Sequence, residues 1–168
     1  MRLLLALILS LLAPPGGSLL PPSEGDFGWP LAGSPTVVRG FDPPPQPWLP
    51  GHRGVDLAAP PGATVRAAGA GVVHFAGYVA GRTVVSVAHP GGLRTTYEPV
   101  AALVRVGARV RGGEPLGVLV AGHAGCPEPG CLHWGLRCGD EYLDPLALLG
   151  RAPVRLLPRF VRTTTGTP

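Results

Sequence analysis

The chain has 168 residues, a length typical of one domain, and Gly and Pro together account for 48 of them. Because 45% of the residues are hydrophobic and only 14% are charged, the composition argues against an intrinsically disordered protein. The net charge of +4 comes from 14 arginines with no run of three, so a dedicated nucleic-acid surface is not expected and no nucleic-acid partner is predicted.

The N-terminus has the pattern of an export signal. The stretch Leu3–Ala13 is apolar apart from Ser10 and ends at Pro14. This length suits the apolar region of a signal peptide and is too short to cross a bilayer, and no later segment reaches that length. We predict a signal peptide over residues 1–20 with an undefined cleavage site, no transmembrane segment, and a secreted, cell-wall-associated bacterial protein. The alternative is a disordered apolar N-terminus on a cytoplasmic protein.

A Pro-rich segment follows over residues 21–50. Such a composition predicts an extended chain that lies along a domain without forming its core. Its four large aromatic residues are expected to dock onto the neighbouring surface, with order from about Phe27 onward. They are Phe27, Trp29, Phe41 and Trp48.

Residues 51–150 have the pattern of an all-β domain. Short apolar or alternating runs are separated by Gly and Pro turns, which predicts a sandwich or barrel. The runs are Thr64–Ala68, Val72–Ala76, Thr83–Ala88, Arg94–Tyr97, Pro115–Val120 and Leu132–Arg137. A helical turn capped by Asp144 is expected at Asp144–Leu149, and residues 151–168 are expected to form a flexible tail.

The same region contains a weak internal repeat. Gly62–Arg66 resembles Gly107–Arg111, and each is followed by a glycine turn and a second apolar run. Two similar β-hairpin units facing each other would bury their Val and Leu side chains in one shared core.

Two imidazoles and one carboxylate stand out as candidate metal ligands. His52 and Asp56 are four residues apart with glycines between and before them, so a turn can bring both onto one ion. Alternation along Leu132–Arg137 places His133 on the face opposite the apolar residues, toward whatever His52 and Asp56 form. Zinc accepts this donor set, and three ligands leave a fourth position for water, as a catalytic site needs.

The three cysteines predict a disulfide. Cys126 and Cys131 flank a short Pro/Gly loop, and outside the cytoplasm a bridge closing that loop is one candidate pairing, which the sequence does not rank above a pairing with Cys138. Cys138 is the alternative partner for either of them. A cysteine-type zinc site is the weaker hypothesis, because the sequence has no C-x-x-C pair.

Residues from about Phe27 to Leu149 resemble the lysostaphin/LytM-type zinc metallo-endopeptidases, which cleave peptide cross-links in peptidoglycan. The motifs that carry this resemblance are Gly51–Leu57, Gly62–Ala68, Gly71–Val73, Gly107–Gly117 and Leu132–Arg137. The resemblance implies a compact antiparallel β-sheet fold, a hybrid-motif sandwich with a metal-site groove. It also implies one Zn²⁺, whose ligands are His52, Asp56 and His133. It also implies that the partner is a peptidoglycan peptide; the oligomeric state stays open.

The sequence departs from this family at both of its assisting histidines. Cys131 takes the place of the first histidine of the His-x-His motif, and Pro99 takes the place of the histidine in the Tyr-x-His segment. General acid–base assistance is worth about 10²–10⁴-fold, so an unreplaced loss predicts very slow turnover. Candidate replacements are His123, Glu98 (although strand neighbours face opposite ways), Tyr97 or Arg137 as oxyanion donors, and Cys131 as a thiolate if it is not in a disulfide. They are weak candidates, and the catalytic residues are otherwise unknown.

Three hypotheses follow in this order. The first is an exported zinc metallo-endopeptidase acting on peptidoglycan cross-link peptides. The second is a catalytically weak or inactive module of the same fold that binds cell-wall peptide or regulates another hydrolase. The third is a structural β domain without metal, which leaves the three-ligand set as coincidence.

Overall fold

The fold is all-β, as predicted. In a computed structural model, residues 27–46, 48–123, 125–126 and 129–150 are described, so the predicted signal peptide and tail lie outside the described residues. The described ranges contain two short 3-10 turns, Pro90–Gly92 and Pro145–Leu149, and eleven strands. The strands are β1 Val37–Arg39, β2 Gly54–Ala58, β3 Thr64–Arg66, β4 Gly71–Val79, β5 Arg82–Ala88, β6 Leu93–Glu98, β7 Val100–Ala102, β8 Arg109–Val110, β9 Pro115–Leu119, β10 Cys131–Cys138 and β11 Glu141–Leu143.

Two antiparallel sheets enclose the core. The larger has the order β1-β2-β10-β6-β5-β4-β8 with β11 paired to β10, and the smaller has the order β3-β9-β7. Alternation along β10 buries Leu132, Trp134 and Leu136. The opposite side of this strand carries His133, so the centre of the large sheet has one apolar face and one face that bears the site.

The internal repeat appears as reciprocal strand pairing. The first strand of one unit, β3, pairs with the second strand of the other unit, β9, while β4 pairs with β8. Val65 and Val110, which are equivalent in the repeat, are both buried in the core. Because each strand of one unit pairs with a strand of the other unit, the two units form one shared core.

The Pro-rich segment contributes more to the domain than its composition predicted. β1 pairs with β2, and Leu31 is buried in the core. Phe27 packs edge-on against His89, and Trp29 packs against Trp134. Trp48 departs from the expectation of docking, since it is 78% exposed.

The predicted turn at the end of the domain is a 3-10 turn over Pro145–Leu149. The Asp144 carboxylate accepts a hydrogen bond from the Leu146 N–H at 2.9 Å, as a capping residue should. No helix in the described ranges is long and apolar enough to cross a membrane.

A buried hydrogen-bond chain crosses the core behind the site. His89 Nδ1–H donates to Ala70 O at 2.8 Å, so in the neutral ring Nε2 accepts from the Thr95 hydroxyl at 2.7 Å. Thr95 then accepts from the Tyr97 hydroxyl at 2.8 Å, and Tyr97 accepts from the Ala68 N–H at 2.8 Å. Burial lowers the pKa of His89 more than its bond to Ala70 raises it, and burial raises the pKa of Tyr97 to about 12.

Neutral His89 predicts an acid-sensitive fold. The unfolded chain takes up the imidazole proton near pH 6.5 and the folded chain at a lower pH, so stability is expected to fall as the pH drops below about 6.5. One such group contributes a slope of at most about 1.4 kcal/mol per pH unit. Urea unfolding of metal-free protein between pH 8 and pH 5 measures this slope. His89→Gln keeps every other histidine and should show a flatter profile; parallel profiles would contradict the prediction.

Candidate metal centre

The site is built at the middle of the large sheet. Strands β2 and β10 are neighbours, and their register places Asp56 directly opposite His133. His52 lies just before β2, where its backbone forms an isolated bridge with Asp42. Its N–H donates to Asp42 O at 2.7 Å, and its carbonyl accepts from Asp42 N at 3.0 Å. The three predicted ligands are thus brought together by strand pairing on one side and by the Pro-rich segment on the other.

Their donor atoms converge within hydrogen-bond distance. Asp56 Oδ1 lies 3.0 Å from His52 Nε2 and 2.9 Å from His133 Nδ1, and the two ring nitrogens are 3.0 Å apart. All three residues are buried, with Asp56 only 1% exposed.

The tautomer of His52 suits the binding of a cation. His52 Nδ1 lies 2.6 Å from Gly40 O, and since a carbonyl only accepts, Nδ1 carries the hydrogen and Nε2 of the neutral ring presents a lone pair. That lone pair faces a carboxylate oxygen and another ring nitrogen. Asp56 Oδ2 is buried with no hydrogen-bond partner among the described residues. Converging lone pairs of nitrogen and carboxylate oxygen are the donor set that zinc takes.

The electrostatics of the cluster favour an ionised Asp56. Burial alone would raise the pKa of its carboxyl group, but hydrogen bonds from His123 and His133 hold that pKa well below its usual range. Asp56 is therefore a carboxylate at neutral pH, as metal binding requires.

His123, a weak candidate from sequence, is brought into the cluster. Its Nε2 lies 3.2 Å from Asp56 Oδ1, and its ring centroid is 5.4 Å from that of His133. The donor atoms of His52, Asp56, His123 and His133 all lie within 4.8 Å of one another. The sequence suggested His123 only through its place in the loop before Cys126, and no motif marked it as a metal ligand.

Glu98 also faces the site, against the expectation from alternation. It is the last residue of β6 and pairs in register with His133, so both side chains point to the same face. Its Oε1 is 4.0 Å from His133 Nε2, and its Oε2 is 3.3 Å from Arg82 Nε. Alternation would turn Glu98 away from the groove only if residue 99 faced the groove. Pro99 is instead buried, and Glu98 occupies that face.

Neither substituted position offers a proton-transfer group. Cys131 is buried and joined to Cys126 by a disulfide with a Cα–Cα distance of 5.6 Å, which rules out the thiolate hypothesis in this state. Cys138 is free and exposed.

The two candidate oxyanion donors, Tyr97 and Arg137, lie away from the donor cluster. Tyr97 is fully buried on the core face and its hydroxyl belongs to the His89 chain, so that suggestion is wrong. Arg137 is four residues along β10 from His133, about 13 Å away, because each strand residue advances about 3.3 Å. Its guanidinium donates to Gly139 O at 2.8 Å and Asp140 Oδ1 at 2.7 Å.

A groove of about 490 Å³ runs over the sheet from the cluster. His133 and Glu98 lie on its wall, and Arg137 lies further along it. Four arginines line the groove: Arg53, Arg82, Arg94 and Arg137. Its surface is therefore rich in guanidinium groups, which bind carboxylates well.

Gly54 makes room for the His133 ring. A Cβ atom at this position would contact the Trp134 carbonyl oxygen and lie 2.7 Å from His133 Nε2. Gly54→Ala is therefore expected to displace the ring, weaken zinc binding, and cost about 1–3 kcal/mol of stability. Metal titration and urea unfolding measure both effects.

Gly135→Ala is the matched control for this substitution. Gly135 is the cross-strand partner of Gly54, yet an added Cβ there would meet its nearest atoms at 3.6–3.8 Å, an ordinary contact. Equal losses in both variants would show that Gly54 has no special role in seating His133.

Comparisons with known proteins agree with this geometry. A sequence model of Peptidase family M23 matches residues 50–145. The chain is 55% identical over 139 residues to the uncharacterized protein Rv2891 of Mycobacterium tuberculosis, covering 80% of this chain and 56% of that protein. It is 34% identical over 98 residues to DD-carboxypeptidase/endopeptidase Mpg of Neisseria meningitidis, covering 58% of this chain and 22% of that protein. The chain thus spans about half the length, or less, of these curated relatives.

A solved structure with the same fold is the catalytic domain of the antimicrobial peptidase lysostaphin from Staphylococcus simulans. The TM-score is 0.59 at 22% identity, covering 69% of this chain and 92% of that domain. At this identity the likeness concerns the fold.

Proposed function

The chain belongs to peptidase family M23, and on that premise we propose that it is a zinc metallo-endopeptidase that cleaves cross-link peptides of peptidoglycan. The observation that carries the proposal is the meeting of His52, Asp56 and His133 at 2.9–3.0 Å on the groove face of the sheet. The relatives support the substrate class, since one is a DD-carboxypeptidase/endopeptidase and a fold neighbour is an antimicrobial peptidase.

His52 Nε2, Asp56 Oδ1 and His133 Nδ1 would hold one Zn²⁺. When bound there, zinc supplies Lewis-acid activation of water and of the scissile carbonyl. The chain orients the His52 ring from outside, since its Nδ1–H donates to Gly40 O at 2.6 Å.

We propose Glu98 as the group that accepts a proton from the attacking water, because it is the carboxylate among the residues that line the groove. Its carboxylate lies on the groove face beside His133, and Arg82 holds one of its oxygens at 3.3 Å. The other oxygen faces the site. This arrangement gives the domain a carboxylate base where its relatives in sequence pattern use histidine.

The arginines of the groove would select the substrate by charge. Guanidinium groups pair with carboxylates through two parallel hydrogen bonds, so a peptide with free carboxylates is favoured over a neutral one. Arg94 lies on β6 four residues before Glu98. Because side chains alternate along a strand, residues four apart share a face, so both side chains lie on the groove face. A peptide lying along β6 would meet Arg94 and Glu98 in succession.

The proposed site of action is outside the cytoplasm, at the cell wall. The Cys126–Cys131 disulfide supports this, because such bridges persist in oxidising compartments. The apolar segment Leu3–Ala13, which resembles a signal peptide, also supports it.

A second candidate function is a weakly active or inactive module that binds wall peptide or regulates another hydrolase. The observation that favours it is that both positions of the usual assisting histidines lack a titrating group, with Cys131 in a disulfide and Pro99 buried.

Digestion of purified peptidoglycan separates the two functions. The zinc-loaded protein should release new amino termini, and release should stop with a chelator and with His133→Ala. Equal background release by the wild type and His133→Ala, with peptide binding retained, would favour the binding module. Absence of stoichiometric zinc in the loaded wild type would remove both the metal site and the peptidase proposal.

A further inference from the structure

The geometry points to His123 as a fourth protein ligand of the metal. The site would then have four protein ligands, whereas the sequence predicts three ligands and one open position. This inference rests on the proposed function, because it uses the same metal site. It concerns the position that an open site would leave to water.

Four of the six separations among the donor atoms are close to the edges of a zinc tetrahedron. With metal–ligand distances of about 2.0–2.1 Å, the edges of a zinc tetrahedron are about 3.3 Å long. His123 Nε2 lies 3.2 Å from Asp56 Oδ1, and the separations among the other three donors are 2.9–3.0 Å. All four atoms lie within 4.8 Å of one another. The two remaining separations, from His123 to His52 and to His133, are thus at most 4.8 Å, and an adjustment of the His123 side chain would bring all four donors onto one ion.

The surroundings of His123 assign its ring to this cluster. Its side chain is only 8% exposed, although it stands in a loop. Its other ring nitrogen, Nδ1, is buried with no hydrogen-bond partner among the described residues. The nitrogen that could bind the metal is therefore Nε2, which is directed at Asp56 Oδ1 beside the other donor atoms.

The chain covalently ties this segment to the site. Cys126 follows His123 by three residues and is bonded to Cys131, which starts β10 two residues before His133. Cys131 stands at the position of a usual assisting histidine. Through its disulfide, Cys131 also anchors the segment that carries His123.

A fourth protein ligand has two consequences. It raises metal affinity, as in structural zinc sites, which have four protein ligands. It also makes water or a peptide carbonyl compete with an imidazole for the fourth position, which slows hydrolysis. His123 would thus lower turnover while stabilising the metal.

Zinc affinity, measured by competition with a chromophoric chelator, tests this assignment. His123→Ala and His123→Gln are expected to bind zinc on the order of 10- to 100-fold more weakly than the wild type. His74→Ala is the matched control, since His74 is an exposed histidine on β4, and it should bind zinc like the wild type. Urea unfolding of the metal-free proteins identifies a variant that fails to fold, and the Gln variant preserves side-chain bulk.

Cobalt substitution gives a second readout. The absorption spectrum of the Co²⁺-loaded wild type should be insensitive to azide, because all four positions are occupied, whereas His123→Ala should bind azide with a spectral change. Peptidoglycan hydrolysis by zinc-saturated His123→Ala should be faster than by the wild type.

Unchanged zinc affinity in both His123 variants together with an azide-sensitive wild type would overturn the inference. If those variants bind zinc normally but hydrolyse more slowly, His123 assists proton transfer and is not a ligand. In both cases His133→Ala would still lose zinc, so the proposed function would stand. If the wild type and His133→Ala bind zinc equally poorly, the proposed function fails and the inference fails with it.

Discussion

Asp56→Asn is expected to weaken zinc binding by at least about 100-fold and to reduce peptide hydrolysis to background. Asp56 supplies the only carboxylate oxygen within hydrogen-bond distance of the described imidazoles, at 3.0 Å from His52 and 2.9 Å from His133. Losses of 10- to 100-fold are typical even for residues that only orient metal ligands, so loss of a charged ligand should cost more. Asparagine preserves the shape of the side chain and removes its charge.

The measurement combines metal titration with thermal unfolding. Zinc should raise the Tm of the wild type, because a ligand that binds only the folded state stabilises it, and it should have little effect on Asp56→Asn. Asp42→Asn is the matched control, since it makes the same charge change on an exposed side chain near His52 and should leave both readouts unchanged. Zinc-dependent stabilisation of Asp56→Asn equal to that of the wild type would contradict the proposed ligand set.

Glu98→Gln is expected to lower kcat by about 10²–10⁴-fold while zinc stoichiometry stays the same. The size follows from the usual contribution of general acid–base assistance. Glutamine preserves the side-chain length but cannot take up the proton. The nearest metal ligand, His133, stays in place, because its ring is seated against Gly54 and β10.

Measuring both kcat and zinc affinity of Glu98→Gln distinguishes a general base from a residue that only orients His133. A base affects kcat without changing zinc affinity, whereas a residue that only orients His133 changes affinity as well. The comparison is made in the wild type and in His123→Ala, so that the fourth ligand does not mask the chemical step. Glu141→Gln, an exposed position on β11, is the control. Turnover of Glu98→Gln within twofold of the wild type would remove Glu98 from the mechanism.

Much of the fold follows from local pattern. The alternation along Leu132–Arg137 predicted which side of β10 is buried, and Leu132, Trp134 and Leu136 are buried as expected. The six runs predicted as strands correspond to β3, β4, β5, β6, β9 and β10. Period-2 alternation depends only on neighbouring residues, so it can be read without knowing the partner strand.

The Pro-rich segment shows where local pattern is insufficient. Prolines predicted an extended chain, but only the pairing of β1 with β2 and the Gly40–His52 hydrogen bond make it part of the site. Composition does not specify which carbonyl faces which imidazole.

By itself the sequence predicted an all-β domain and a His52–Asp56–His133 donor set. The first depends on local residue pattern, and the second on the short His52–Asp56 spacing, on the alternation that turns His133 away from the core, and on the family resemblance. Only the tertiary structure decided what surrounds that set. Glu98 reaches the groove through its register with His133, and His123 approaches Asp56 across 67 positions of sequence. Such contacts depend on strand order and loop path, which arise from packing of the whole chain and leave no periodic pattern in the residues beside them.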